Sequence, residues 1–550
     1  MNILGLYGSF DWEANKSYDI HDQITWLHDS GATLFIKGEH ICSISEERLT
    51  RIKNDGNFPT HSIDYCLKEG NLSYEDIDEV YIPSMCLEIF YRQLNDGVIK
   101  NKIQDIFPNA KFQIVSHHLS HAASSVFSSD FEDGSILTLD GAGSLIFWID
   151  YQNCIHPETN NIGYFNKKKN IFRLFNGIHE TNNFGHYYHG NAWKIYCNKI
   201  RKDIDFFDEK YRETWDGKIM GLSAYGKSKK VENIKDYTTS KDLSYNEFPY
   251  IIFESKHFAL KNPDEQAYIL QNNFENALVD YFNELKRLNY LEENICVAGG
   301  SFLNVLGNSR LKKLGYNIHI PPCTNDSGLH FGAACYGVFL SKQKITLPKN
   351  IALLGKKYCQ SEIETELKNF NLDYKKYQKF EDLCEFVAQK LNRNKIIGWF
   401  QNKSEFGPRA LGSRSLLMHP GLASNKNLMN SRVKHREGWR PFAGIILDEY
   451  LTEYFEEDFC SPYMLYSNTV KEEKRQEIAA ITHVDHTCRI QTVNQKLYPE
   501  ITTLIKKFKE ISNIPVLLNT SFNDNGKPIV ESPRDAIEAF LNLNIDYLIL

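Results

Sequence analysis

Long apolar runs are missing from this chain. Nothing in its 550 residues approaches the roughly 20 that a membrane-crossing helix needs. The opening MNILGLYGSFDWEAN has no basic segment followed by a long apolar core, so it reads as a first strand and not as a signal peptide. The 12 cysteines include no Cys-x-x-Cys pair, which argues against zinc ribbons and thioredoxin-like redox chemistry. Without an export signal the thiols are expected to be reduced and buried, and the chain cytoplasmic. No His-Glu-x-x-His helix is present. Excess positive charge is missing too: a net charge of -7 gives no general affinity for nucleic acid. What remains is an ordinary globular composition, 42% hydrophobic and 24% charged, with length for two or more domains.

The densest chemistry lies in residues 115–140, VSHHLSHAASSVFSSDFEDGSILTLD. Ser116 can cap a helix on which His117 and His121 sit one turn apart on one face. His118 points about 100° away. Two imidazoles so spaced can hold one metal ion, though exposed helical histidines are about as good a reading. A strand at 135–139 then delivers Asp140 to a glycine turn, where a carboxylate suits a metal or a phosphate-bound metal.

The first strand, the hairpin around Lys37-Gly38 and the unit at 136–150 repeat one shape, strand and glycine turn, which points to an internal duplication. Residues 215–227, WDGKIMGLSAYGK, read as a loop near a helix start, and 263–289 as a long amphipathic helix. Residues 294–304 form a buried strand, a double-glycine turn at Gly299 and Gly300, and a helix start at Asn304. Residues 318–334 form a strand, a turn with Asp326 and a helix. Each alone is an ordinary strand–turn–helix junction.

A linker is expected at 342–349, around Pro348. Beyond it, residues 398–440 carry eight Lys or Arg against Glu405 and Glu437, an excess of six in an acidic protein. Glycine, proline and tryptophan interrupt these charges, which favours an anion site over a solvated basic face. Arg409, Arg414 and Arg436 suit bidentate phosphate or carboxylate binding, and Lys434 acts as a point charge. Further on, Arg489 and Gln491 share a strand face. A strand from Pro515 ends in Asn519, Thr520, Ser521 and Asn523, donors and acceptors for a small polar ligand.

Together these motifs carry a resemblance. HDSGA, EERLTRIK, HHLSHAASS, LTLDGAG, KIMGLSAYG, VAGGSFLN, EFGPRALGSRS, VKHREGWRPFA, HVDHTCRIQTV and LLNTSFNDNGKPIVESPRDA follow the order found in ATP-dependent O-carbamoyltransferases of the NodU/TobZ/CmcH type, over nearly the whole chain. The resemblance implies an α/β protein of two lobes. Residues 1–345 would form an actin-like (ASKHA) duplicated nucleotide-binding lobe similar to the tRNA threonylcarbamoyl transferase domain. Residues 355–550 would form a YrdC-like lobe with a basic cavity. In such enzymes the second lobe makes carbamoyl adenylate from carbamoyl phosphate and ATP, with magnesium, and the first passes the carbamoyl group to a small-molecule alcohol.

Carried over residue by residue, His117, His121, Asp140 and Asp326 would hold a divalent metal, with iron implied. Gly141, Gly143, Gly299, Gly300 and Asn304 would border the adenylate. His28 would meet the carbamoyl group, and an imidazole there could take the hydroxyl proton. Arg409, Arg414, Lys434, Arg436 and Arg489 would neutralise the phosphates, and Asn519 and Ser521 would frame the carbamoyl end. A shared enclosed passage would keep the mixed anhydride from water.

This chain departs from the pattern at an insertion over 11–27, at His330 and at His486, and it stops sooner than many relatives. Aromatic and polar residues within about 153–212, among them His186, Tyr188 and His189, would face the acceptor or pack a core. A tRNA-modifying enzyme is the runner-up; the negative charge and compact basic cluster speak against it. Hydrogenase-maturation carbamoylation lacks its zinc pairs here, and a nucleotide sensor leaves the basic lobe without purpose. No nucleic-acid or membrane partner is expected. The acceptor and the oligomeric state stay open, a homodimer included.

Overall fold

The computed structural model describes residues 1–10, 28–85, 88–141, 145–146, 156–178, 184–202, 215–227, 237–240, 250–253 and 262–550. The insertion at 11–27, Gly143 and parts of 153–212 lie outside them. The chain divides into two compact units: Met1–Thr50 with Asn54–Pro348, and Arg51–Lys53 with Lys349–Leu550.

The first unit holds two five-stranded sheets. The strands of one are β1 (Asn2–Tyr7), β2 (Gly31–Ile36), β3 (Glu39–Ser45), β4 (Glu79–Pro83) and β5 (Lys111–Val115), in the order β3-β2-β1-β4-β5. The other contains β6 (Asp133–Leu139), β7 (Asn160–Asn166), β8 (Ile171–Ile178), β9 (Asn294–Ala298) and β10 (Asn317–His319), in the order β8-β7-β6-β9-β10. In each sheet the first strand pairs antiparallel with the second and parallel with the fourth, so one topology occurs twice. β1 and β6 are buried along nearly their whole length, as strands covered on both faces are.

Two helices join these sheets to the site. α1 (His117–Ser128) starts where Ser116 Oγ accepts the Leu119 N–H at 3.4 Å. A helix further along, Leu329–Leu340, is mostly apolar and packs between β1 and α1. Glycine makes both contacts possible. A Cβ at Gly5 would lie 2.0 Å from the His330 carbonyl oxygen, and one at Gly332 1.8 Å from that of Ser120. His330 is buried and shares a hydrogen bond with Thr33 Oγ1 at 2.8 Å.

Residues 215–227, read above as a loop, form a helix. Its glycines lower helix propensity, but packing on the long helix Pro263–Arg287 overrides that. Gly226 lets the backbones meet, since a Cβ there would sit 2.2 Å from the Asp264 carbonyl oxygen.

The second unit is built on one seven-stranded sheet. Its strands are β11 (Ile397–Phe400), β12 (Arg414–Met418), β13 (Ala443–Leu447), β14 (Tyr466–Thr469), β15 (Thr487–Val493), β16 (Val516–Ser521) and β17 (Tyr547–Ile549). They lie in the order β14-β15-β13-β16-β12-β11-β17. Alternation sorts the side chains: Leu417, Ile445 and Leu517 pack with helices Phe380–Asn392 and Pro499–Ser512, while Leu416, Ile446 and Leu518 face the other core. Each such buried Leu or Ile contributes roughly 1.5–3 kcal/mol. Among the described residues, no helix is long and apolar enough to cross a membrane.

Candidate functional site

In the first unit four side chains converge. His117 and His121 point from the first turns of α1, one turn apart, with their Nε2 atoms 3.2 Å from each other. Asp140 follows the end of β6, and its Oδ2 lies 3.1 Å from His117 Nε2 and 2.9 Å from His121 Nε2. Asp326 opens the turn before the helix Leu329–Leu340, with Oδ1 3.5 and 3.4 Å from the same two nitrogens. All four ligand atoms fall within 4.8 Å of one another. Two imidazoles and two carboxylates at this separation can hold a divalent cation.

The neighbours aim these ligands. Asp140 Oδ1 accepts the backbone N–H of Gly141 at 2.8 Å and of Gly300 at 3.1 Å, which turns Oδ2 toward the histidines. Gly299 has a φ of 107°, and a Cβ there would lie 2.1 Å from the Leu139 carbonyl oxygen, so the position requires glycine. Tyr7 donates its hydroxyl to Asp326 Oδ2 at 3.1 Å. His118 has both nitrogens engaged, by Thr138 Oγ1 at 2.7 Å and the Glu158 carbonyl at 3.1 Å, and takes no part.

Electrostatics match this geometry. Burial disfavours the charged form of His117, but Asp326 and Asp140 outweigh it and lift its pKa to about 10. His121 is raised against the same burial by the same two carboxylates. Burial pushes both carboxylates up, yet the imidazoles hold them well below the usual range. Imidazoles and carboxylates in this contact favour each other's charged forms, and a divalent ion held by the four would displace protons from the imidazoles.

His28 stands at the edge of this group. Its Nδ1 is 3.1 Å from Asp29 Oδ2, which also accepts Asn325 Nδ2 at 2.7 Å, next to Asp326. Asn304 is differently placed from the expectation. Its amide pairs with Gln271 at 2.9 and 3.1 Å, and its Oδ1 caps a helix at Gly307 N, so the side chain is committed within the fold.

In the second unit Arg409, Lys434, Arg436, Arg440 and Arg489 form a cationic group, Lys434 buried and the four arginines partly so. Burial, and then Arg440, pushes Arg409 down to about 10. Burial, then Arg409 and Arg440, pushes Arg489 down to about 9. Lys434 and Arg436 are held far below their ordinary values by burial and by these neighbours. Among the described residues no carboxylate pairs with Arg409, Arg436 or Arg489, and Arg409 Nε is buried without a hydrogen-bond partner. Arg440 meets Glu437 at 3.5 Å. Cations crowded in this way, three of them without a carboxylate partner among the described residues, are suited to receive an anion.

Arg414 does not belong to it. Its guanidinium is fully buried, stacks on Phe400 at 3.6 Å and donates to backbone carbonyls including Gln401 at 2.9 Å and Asn402 at 3.2 Å. Lys434 Nζ is surrounded by oxygens of Ser521 and Asn523, from 2.6 to 3.2 Å. Asn519 donates Nδ2 to the Ala410 carbonyl at 2.9 Å and keeps its buried Oδ1 unpaired.

The carbamoyltransferase N-terminus family matches residues 22–104 and 95–335, and the carbamoyltransferase C-terminus family matches residues 388–550. The chain belongs to the carbamoyltransferase family. It is a transferase, 29% identical to the nodulation protein NolNO of Sinorhizobium fredii over 100% of this chain and 82% of that protein. An uncharacterised Synechocystis protein is 30% identical over 96% and 94% of the two chains. The 3'-hydroxymethylcephem-O-carbamoyltransferase of Streptomyces clavuligerus is 30% identical over 58% of this chain and 61% of its own. Among solved structures, HypF of T. kodakarensis covers 62% of this chain and 48% of its own at 11% identity, with a TM-score of 0.36, too low to bear on the fold. In this carbamoyltransferase, sequence reasoning gave no role to Arg440, Tyr7 or Glu405. Arg440 had a signal in the basic stretch; Tyr7 had none beyond its place at the end of a strand.

Proposed function

We propose that the chain is an O-carbamoyltransferase that uses carbamoyl phosphate and ATP. In the second unit water first cleaves carbamoyl phosphate to carbamate and phosphate; a carbamate oxygen then attacks the α-phosphorus of ATP, and pyrophosphate leaves as carbamoyl-AMP forms. The carbamoyl group of the adenylate then passes to a hydroxyl of a sugar or natural-product acceptor in the first. The observation that carries this reading is the partly buried cationic group of Arg409, Arg436 and Arg489, which no carboxylate pairs among the described residues, with Arg440 and its partner Glu437 beside it. Several phosphate charges must be brought together for adenylation, and pre-placed guanidiniums lower that cost without reorganising. Lys434 and Ser521 close one side of the site, and the unpaired Asn519 Oδ1 is suited to accept from the carbamoyl NH2.

In the first unit His117, His121, Asp140 and Asp326 would hold the metal, with iron as the proposed ion. That ion would supply positive charge beside the adenylate phosphate as AMP leaves. Gly141, Gly299 and Gly300 keep side chains out of the way of a nucleotide. His28, steadied by Asp29, takes the proton as the acceptor oxygen attacks the carbamoyl carbon. The repeated sheet topology supports the actin-like reading of this unit, and the open mixed sheet with a basic end supports the YrdC-like reading of the other. The test is incubation with ATP, magnesium and carbamoyl phosphate without acceptor, measuring pyrophosphate and carbamoyl-AMP. Pyrophosphate release with carbamoyl-AMP is expected; neither product would sink the proposal. A panel of alcohols, read by the mass gain of one carbamoyl group, then identifies the acceptor.

A further inference from the structure

Glu405 is an anion inside the basic stretch, 4% exposed, in the loop that carries Arg409. Its Oε1 accepts three backbone N–H groups from the far end of that loop: Leu411 at 2.8 Å, Ser413 at 2.9 Å and Arg414 at 2.9 Å. The carbonyls of the same segment are taken from the sheet. Asn519 Nδ2 donates to Ala410 at 2.9 Å, Gln491 Nε2 to Leu411 at 3.0 Å and Trp399 Nε1 to Gly412 at 3.0 Å. Bonds to a carboxylate are the stronger kind, and three on one oxygen fix the loop's path. Arg409 lies inside this frame, and its Nε enters none of these bonds. A guanidinium on a fixed backbone loses less freedom when an anion arrives than one on a mobile loop.

We propose that Glu405 is a positioning residue for Arg409: its carboxylate gathers the 405–414 loop so that the guanidinium stands ready for a bound phosphoryl group. The proposal rests on the anion-site reading of the second unit. A competing view, in which Glu405 acts only through its charge, predicts the opposite sign. A negative charge near the site opposes anion binding, so its removal would tighten binding.

The test is calorimetric titration of the full chain with inorganic pyrophosphate, using Glu405→Ala, Glu405→Gln, Glu405→Asp and Arg409→Lys, singly and combined. Glu405→Ala is expected to weaken binding about tenfold or more in the wild-type background and less than about twofold beside Arg409→Lys, because coupled residues do not add. Glu405→Gln keeps an acceptor oxygen in place and should stay within about threefold of wild type. If circular dichroism shows Glu405→Ala unfolded, Glu405→Asp replaces it. The displaced carboxylate should weaken binding about threefold or more, again only when Arg409 is present. Equal losses in both backgrounds, or binding as tight as wild type, would overturn the proposal. Wild-type protein that does not bind pyrophosphate would remove the anion-site reading and this inference with it.

Discussion

Replacing Arg489 with methionine is expected to stabilise the second unit and to weaken its hold on pyrophosphate, two effects of opposite sign from one change. Burial, with Arg409 and Arg440 beside it, brings the Arg489 pKa from 12.5 down to about 9. At 1.36 kcal/mol per unit the whole shift would correspond to about 5 kcal/mol. Partial solvent contact discounts this, and replacing a buried charge by an apolar side chain of similar length typically returns about 1–3 kcal/mol. The sign is fixed. A cation whose folded pKa lies below its unfolded value carries its full cost at every pH below the folded value. Near neutral pH the cost is therefore complete, and it is relieved only as pH rises through about 9. For a unit of this size each kcal/mol moves the melting temperature by about 2–4 °C, so a rise of about 2–12 °C is expected without ligand. Pyrophosphate at a hundred times its Kd should add about 2.7 kcal/mol to wild type; a tenfold weaker variant at the same concentration gains only about 1.4 kcal/mol. Scanning calorimetry with and without pyrophosphate, against sodium chloride of matched ionic strength, separates the effects. A variant that melts lower without ligand yet keeps the full pyrophosphate increment would refute the reasoning.

Asp140→Asn should empty the metal centre. Its oxygen stays with the Gly141 and Gly300 amides, so its NH2 faces the two histidines; metal analysis should read a loss of more than about tenfold. Arg409→Ala should abolish pyrophosphate release while metal content stays intact, and His117→Ala should do the reverse, leaving adenylate formation with no transfer; both variants losing one step would contradict the two-site scheme. Gly332→Ala places a Cβ 1.8 Å from the Ser120 carbonyl oxygen, between two backbones that cannot both yield, and should lower first-unit stability by about 3 kcal/mol or more in urea unfolding.

What the sequence made legible follows the reach of its interactions. His117 and His121 pair through one helical turn, so their spacing announced them. Asp140 came next, because a strand end and a glycine turn are local signals. Asp326 lies 205 residues beyond His121, and only family resemblance tied it to the group that the structure assembles. The basic stretch shows the opposite case. Arg409 and Arg414 are five residues apart and look alike in sequence, yet one has an unpaired Nε and the other is spent on carbonyls as distant as Glu531. Which arginine stays available depends on where β12 begins and on Phe400 beneath it, facts of tertiary packing. The helix at 215–227 was missed for a related reason, since its glycines speak for a turn and only the Pro263–Arg287 helix answers them.

The two sites share one physical construction. At Asp140 one carboxylate oxygen is held by two backbone N–H groups, and the other is thereby presented to the imidazoles. At the 405–414 loop the backbone groups are held by Glu405, Asn519, Gln491 and Trp399, and a guanidinium is thereby left to meet an anion. In both cases the charged group is aimed by hydrogen bonds among its neighbours. Charges that must act at close range are costly to reorganise, so fixing them beforehand places the energetic burden on folding and not on the reaction. Conservative changes in the holders, such as Gln491→Glu or Asn519→Asp, keep size but place an anion against a carbonyl oxygen. They should therefore damage binding more than their volume suggests, a comparison that pyrophosphate titration can make directly.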